Sequence, residues 1–130
     1  MEMSGHLLVV DDSPMNRKML CKTLASVGFT ADTAEDGVQA VEKVRENIES
    51  GNTLYHAILM DFMMPNMDGP TATAEIRKLG YTRPIIGVTG NVVESDVEAF
   101  MSSGASRVLG KPVDMNVLSA TLLEGSRDVV

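Results

Sequence analysis

The chain has 130 residues, of which 44% are hydrophobic, and carries a formal net charge of −7. This length fits one domain, and the acidic balance argues against non-specific nucleic-acid binding, which needs clustered Lys and Arg. No apolar run approaches the roughly 18 to 20 residues of a membrane span, and the single cysteine, Cys21, cannot form an internal disulfide, which favours a reducing, cytoplasmic location.

Short apolar runs alternate with longer amphipathic ones along the chain. The short runs predict strands at residues 7–10, 29–33, 57–60, 85–88 and 107–109. The longer ones predict helices at residues 14–27, 38–48, 71–79, 93–103 and 115–123. Gly28 and Gly80 stand where the first and third helices should stop.

This alternation predicts a doubly wound α/β domain. Continuous apolar strands separated by crossover helices are typical of a parallel sheet that is covered on both faces. In such sheets the ligand lies outside the carboxyl ends of the strands, at the point where the strand order switches. Polar residues directly after the strands are therefore the candidates for a functional site.

Polar side chains follow four of the predicted strands. Asp11 and Asp12 follow the first strand, Asp61 the third, Thr89 the fourth and Lys111 the fifth. Because parallel strands end at one edge of the sheet, we expect these side chains to lie close together.

Local roles are the alternative for the aspartates. The pair at 11 and 12 would serve as helix caps, but Ser13 and Pro14 already suit the start of the first helix. Asp61 would be a turn residue, but Asp68-Gly69 is the more natural turn in that segment. The aspartates that abut the strands are thus free for another function.

The charges at this edge indicate a divalent metal. Three carboxylates (−3) and one lysine (+1) leave −2 in a small crevice, and this repulsion is costly unless a cation compensates it. Oxygen ligands favour Mg²⁺, with Mn²⁺ as an alternative, whereas zinc would need a Cys/His set that the separate His6 and His56 do not provide. A metal beside a carboxylate, a hydroxyl and a lysine suits phosphoryl transfer, with Asp61 as the nucleophile.

Four segments resemble a known family. "LLVVDDSPMNRKML", "AILMDFMMPNMDGPTATAEIRKLG", "PIIGVTGN" and "VLGKP" are similar to the receiver domain of two-component response regulators and hybrid histidine kinases. The resemblance covers residues 6–124 in order, within a single domain of residues 1–130, and it implies a flavodoxin-like fold of five parallel strands, in the order 2-1-3-4-5, with five helices.

The resemblance also implies roles for individual residues. Asp61 would accept a phosphoryl group from a histidine kinase or a histidine phosphotransfer domain. Asp11, Asp12, Asp61 and the backbone carbonyl of Met63 would bind Mg²⁺. Thr89 would contact the phosphoryl group and Lys111 would pair with it.

Further properties come with the family. The Lys111-Pro112 bond would be cis, and the domain would catalyse phosphorylation and dephosphorylation of its own aspartate without being a turnover enzyme in the usual sense. It would be a monomer or weak homodimer with no nucleic-acid or membrane contact. Phosphorylation would change the face formed by the fourth helix and fifth strand.

Two positions depart from the family pattern. Val108 stands where an aromatic switch residue is usual, and Gly90 follows Thr89 where Ala is usual. We therefore expect phosphorylation to alter the segment from Gly90 to Val93 and the next helix without an aromatic flip. Both Asn91-x-x-Glu94 and Ser95-x-x-Glu98 resemble capping boxes, so that helix has two possible starts.

Three alternatives remain at this point. A phosphohydrolase of the haloacid dehalogenase type would want Asp-x-Asp after the first strand, where this chain has Asp-Asp-Ser. A flavin binder would want a phosphate-binding loop and aromatic residues, but there is no Trp. A pseudo-receiver would keep the fold for protein contacts alone, having lost the acceptor or the lysine.

Overall fold

Five strands and five helices alternate along the chain, as predicted. The structure, a computed structural model, describes residues 5–51, 54–90 and 92–128, with side chains described as far as Leu122. The strands are β1 (Gly5–Val10), β2 (Phe29–Ala34), β3 (Ala57–Asp61), β4 (Ile85–Thr89) and β5 (Arg107–Gly110). The helices are α1 (Pro14–Ser26), α2 (Gly37–Glu49), α3 (Gly69–Lys78), α4 (Glu94–Ser103) and α5 (Met115–Asp128).

The strands form one parallel sheet in the order β2-β1-β3-β4-β5, which confirms the predicted topology. From β1 the chain crosses to β2 on one side and later to β3 on the other side. The order therefore reverses next to β1, and the carboxyl ends of β1 and β3 border the crevice where doubly wound sheets bind ligands.

Alternate residues of the central strands bury opposite faces of the sheet. Leu8 and Val10 of β1 pack in one apolar cluster with residues of α2, α3 and α4. Leu7 and Val9 pack in a second cluster with residues of α1 and α5. Because both faces are covered, β1 and β3 are continuous apolar runs, and only their ends carry polar residues.

The helix ends agree with the sequence in part. Gly28 and Gly80 follow α1 and α3 with φ of 97° and 98°, a left-handed conformation that glycine adopts without steric cost. The predicted turn at Asp68-Gly69 was wrong, because Asp68 is the N-cap of α3 and accepts a hydrogen bond from the Thr71 amide at 2.9 Å. The last helix extends beyond its predicted end at residue 123 to Asp128.

None of the helices in the described part of the chain is both long and apolar enough to cross a membrane.

Candidate functional site

Two buried carboxylates lie at the carboxyl ends of neighbouring strands. Asp11 directly follows β1 and Asp61 is the last residue of β3, and they are 6% and 5% exposed. The paired strands β1 and β3 end side by side, so the two side chains enter the same crevice. The structure thus brings together the aspartates that the sequence placed at separate strand ends.

Lys111 connects these carboxylates. Its Nζ lies 2.7 Å from Asp61 Oδ1 and 3.5 Å from Asp11 Oδ2. Its backbone amide donates to the Thr89 carbonyl at 3.0 Å, which fixes the segment after β5 against the end of β4. The Lys111-Pro112 peptide bond is cis, as the resemblance implied.

The acidic cluster has the chemistry of a site for a hard cation. One carboxylate oxygen from each of Asp11, Asp12 and Asp61 lies within 4.8 Å of the others, and Asp12 is exposed to solvent. Two oxygens on opposite sides of one Mg²⁺ are about 4.2 Å apart, so the three carboxylate oxygens lie at separations close to those of ligands that share one ion. The donor set is all oxygen and opens to solvent on the Asp12 side, which suits an ion that retains water ligands.

The pKa values of Asp61 and Lys111 reflect their mutual contact. Burial raises the pKa of the Asp61 carboxyl, and this effect outweighs the hydrogen bond from Lys111, which lowers it. Burial lowers the pKa of the Lys111 ammonium. The hydrogen bond to Asp61 and the charges of Asp61 and Asp11 together raise this pKa by more, so the net shift is upward. The lysine therefore stays charged beside the acceptor candidate.

The start of α1 is capped by Ser13 and does not need the side chains of Asp11 and Asp12 as caps, as predicted. Ser13 is the N-cap, with its side chain accepting from the Asn16 amide at 3.3 Å, and Pro14 is the first helical residue. Asp11 Oδ1 additionally accepts from the Ser13 amide at 2.8 Å. Asp11 therefore supports the turn before the helix while its other oxygen faces Lys111.

Arg17 is a part of the site that sequence reasoning did not assign. Its guanidinium donates to the Asp11 backbone carbonyl at 2.7 Å and lies 3.7 Å from Glu35 Oε1. It thereby holds the acidic loop after β1 against the loop after β2. In the sequence, only its position one turn into α1, close to the two aspartates, indicated that it could reach the site.

Thr89 and Met63 lie at the same edge. Thr89 ends β4 with a buried side chain, next to Val88, which pairs with Asp61 across the sheet. Met63 is two residues beyond Asp61 and is 73% exposed. Asn91, which belongs to the first of the two predicted capping boxes, lies outside the described residues.

The residue after Asp61 contacts helix α4. The Phe62 amide donates to Asp61 Oδ1 and to the Val88 carbonyl, both at 3.0 Å. The Phe62 ring packs edge-on against Phe100 with the centroids 5.3 Å apart. Phe100 is the only buried residue of the fully described helix α4 and is 0% exposed. A direct packing contact thus leads from the acceptor candidate to α4.

Helix α4 begins without a side-chain cap. Its N-cap is Val93, which makes no side-chain hydrogen bond to the first turn, and Ser95 lies inside the helix. Neither of the two starts that the sequence offered is the observed one, because Val93 is extended and the helix begins at Glu94, between a start capped at position 91 and one capped at Ser95. Val108, at the position of the usual aromatic, is partly buried against the apolar cluster of α2, α3 and α4.

A pocket of about 390 Å³ adjoins the charged site. Asp11 and Lys111 lie in its wall together with apolar residues from α1 and from the segment after β5, among them Leu20, Val113 and Met115. Met19, also in its wall, belongs to the exposed surface of α1. The site therefore continues into an apolar surface on the side of α1.

Comparison with known proteins agrees with this geometry. A family model described as the response regulator receiver domain matches residues 7–123. Sensor histidine kinase RcsC of Salmonella typhimurium is 43% identical over 116 residues, which are 89% of this chain but 12% of that protein. Transcription factor SKN7 of Saccharomyces cerevisiae is 32% identical over 126 residues, or 95% of this chain and 19% of that protein. The chain thus spans a small part of the curated relatives that it matches.

Solved structures give the same result. The receiver domain of sensor histidine kinase PA1611 from Pseudomonas aeruginosa, with a magnesium ion in its active-site cleft, superposes with a TM-score of 0.82 at 33% identity, covering 95% of this chain and 98% of that one. The receiver domain of histidine kinase CKI1 from Arabidopsis thaliana, complexed with Mg²⁺ and BeF₃⁻, has a TM-score of 0.82 at 30% identity, covering 95% and 90%.

Proposed function

We propose a function for this chain, which belongs to the response regulator receiver domain family. In this proposal Asp61 accepts a phosphoryl group from a phosphohistidine in a Mg²⁺-dependent reaction. The observation that carries the proposal is the 2.7 Å contact between Asp61 Oδ1 and Lys111 Nζ, inside a cluster of three carboxylates. This membership decides against the phosphohydrolase and flavin-binding alternatives. Residues 1–130 form one receiver domain in this proposal.

The proposed reaction moves one phosphoryl group between two nucleophiles. A carboxylate oxygen of Asp61 bonds to phosphorus while the bond from phosphorus to the donor imidazole breaks, and the electron pair of that bond stays on the nitrogen. Asp61 Oδ1 already accepts from Lys111 and from the Phe62 amide, so Oδ2 is the oxygen that we expect to attack. The product is an acyl phosphate on Asp61.

The surrounding residues would stabilise the transferred group. Mg²⁺, when held by Asp11, Asp12, Asp61 and the Met63 carbonyl, supplies positive charge to the phosphoryl oxygens. Lys111 would pair with one of these oxygens and the Thr89 hydroxyl would donate to another. This arrangement distinguishes the chain from a pseudo-receiver, since the acceptor and its lysine are both present.

The proposed donor is the phosphohistidine of a histidine kinase or a histidine phosphotransfer domain. The relative RcsC is a sensor histidine kinase, and the matched region is only 12% of that protein. The rest of a protein of this kind has room for a donor domain. The docking surface would be α1, where Met15 and Met19 are exposed beside the pocket that reaches Lys111. Flexible methionine side chains suit contact with an apolar helix surface.

Phosphorylation by a small donor tests the proposed function. Purified protein incubated with acetyl phosphate and Mg²⁺ is expected to gain the mass of one phosphoryl group in an intact-mass spectrum, and peptide mapping is expected to place it on Asp61. A matched sample with EDTA in excess of the metal is expected to gain none. Labelling that is equal in both samples would contradict the metal dependence, and labelling at another residue would contradict the acceptor.

Met63→Asn is expected to shorten the lifetime of the phosphoryl group. The exposed Met63 side chain, next to the acceptor, is apolar and cannot orient a water molecule for attack on the acyl phosphate. An amide at this position can donate and accept hydrogen bonds, so the labelled variant should lose its phosphoryl group faster than the wild type does.

The measurement is the decay of the phosphorylated mass after the donor is removed by rapid desalting. Met63→Leu, which is also apolar, is the matched control and is expected to decay at the wild-type rate. Equal or slower decay in Met63→Asn would show that the side chain at this position does not limit hydrolysis.

A further inference from the structure

We infer that Asp36 and Asn66 are positioning residues, whose hydrogen bond holds the loop after β3 in the place where the Met63 carbonyl meets the metal. The inference rests on the proposed function, because it assigns a role to residues that would not themselves contact the metal. The loop comprises residues 62–68, between β3 and α3.

Asp36 uses its two carboxylate oxygens for two separate tasks. Oδ1 accepts from the Gln39 amide at 2.8 Å and caps α2, whereas Oδ2 accepts from Asn66 Nδ2 at 2.7 Å. The Asp36 residue is 7% exposed, so it is shielded from water. A charge-assisted bond in such surroundings is stronger than one on the open surface. The start of α2 is therefore tied to a loop thirty positions further along the chain.

The backbone at Asn66 adopts a left-handed conformation. Its φ is 69°, and it is the only residue besides glycine with a positive φ in the described part of the chain. Asn adopts this left-handed conformation more readily than most residues, but at some energetic cost. The bond to Asp36 compensates for that cost and selects this conformation of the loop.

A backbone contact beside it reinforces the attachment. The Gly37 amide donates to the Met67 carbonyl at 3.2 Å. A Cβ at Gly37 would lie 2.6 Å from the same oxygen, so only glycine permits this approach. The Met67 side chain packs against the apolar cluster of α2, α3 and α4. The far half of the loop is thus seated on the start of α2.

The near half of the loop is held at Phe62, whose amide bonds both Asp61 and Val88. Met63, Met64 and Pro65 lie between this attachment and Asn66. The Met63 side chain is mostly exposed and packs little. Met64 is partly buried against the apolar cluster, so it is the attachment at Asn66, with the neighbouring contact between Gly37 and Met67, that fixes the far side of this short segment. Breaking the bond at Asn66 would therefore leave a proposed metal ligand less ordered. Loss of such supporting contacts typically lowers metal affinity by tenfold or more.

Four proteins test this inference: wild type, Asn66→Asp, Asp36→Ser, and the double variant Asp36→Asn with Asn66→Asp. Asn66→Asp sets two carboxylates against each other and opens the contact. Ser at position 36 still caps α2 but is too short to reach Asn66. In the double variant the donor and acceptor exchange places, so the bond, the cap and the net charge are all retained.

Two quantities are measured on each protein: the dissociation constant for Mg²⁺ by calorimetry, and hydrogen exchange of the Met63 and Met64 amides without metal. We expect Mg²⁺ binding about tenfold weaker in both single variants, with faster exchange, and wild-type values in the double variant. The two single substitutions change the net charge in opposite directions, so a loss in both cannot be an effect of charge on the metal.

Wild-type affinity in Asn66→Asp and Asp36→Ser would overturn this inference alone. A double variant as weak as Asn66→Asp would also overturn it, because the restored bond would then have no effect. A wild-type protein that binds no Mg²⁺ would overturn the proposed function together with the role assigned to this contact. Circular dichroism melting curves would confirm that each variant is folded at the temperature used.

Discussion

Asp61→Asn is expected to incorporate no phosphoryl group under conditions in which the wild type is fully labelled. The asparagine amide has nearly the same shape, and its oxygen can still accept from Lys111 and from the Phe62 amide. It lacks the nucleophilic carboxylate that forms the acyl phosphate. The fold and the surrounding hydrogen bonds are thus retained while the acceptor is removed.

Asp68→Asn is the matched control for this experiment. Asp68 lies seven residues further along the same segment and caps α3, and asparagine caps helices about as well as aspartate. This variant is expected to label as the wild type does in intact-mass spectra with acetyl phosphate and Mg²⁺. A phosphoryl adduct on Asp61→Asn would contradict the proposed acceptor, and loss of labelling in both variants would point to damage to the loop.

Phe100→Ala is expected to lower the free energy of unfolding by about 3–5 kcal/mol. The Phe100 ring is fully buried, packs on Phe62, and fills the space over Gly87, where a Cβ would lie 2.6 Å from the ring. No side chain at position 87 can move into the cavity that alanine would leave. The truncation therefore removes both apolar burial and the packing of α4.

Urea denaturation followed by circular dichroism measures this effect. Met101→Ala is the control, since Met101 is the next residue of α4 and is 46% exposed, whereas Phe100 is fully buried. Its substitution should change the free energy of unfolding by less than about 0.5 kcal/mol. Similar values for the two variants would show that Phe100 is not the main attachment of α4.

The sequence was sufficient to predict the sheet and the charged site. Asp11 and Asp61 stand directly after apolar runs, Lys111 follows a third run with one glycine between them, and a parallel sheet brings such positions to one edge. The direct contacts of Lys111 with both aspartates follow from this topology without any knowledge of the loops.

Contacts between distant loops were beyond such reasoning. The bond from Asn66 to Asp36 depends on a left-handed backbone and on the seating of one loop on another, which no local pattern specifies. The fit of Phe100 depends on the absence of a side chain at Gly87, on a different element. Asp68-Gly69 was misread as a turn because aspartate followed by glycine is compatible with both a turn and a capped helix start.

The attachment of α4 through a single buried ring bears on how the domain fluctuates. Elements with few buried contacts open locally at a lower free energy than the core does, so we expect α4, with one buried residue in its ten, to separate from the sheet more readily than the fully buried strands β3 and β4 do. A small difference in free energy is then enough to shift its population between two positions. The ring that holds α4 also touches the neighbour of Asp61, so we expect a change in the chemical state of that aspartate to alter the packing of this helix while the sheet stays intact.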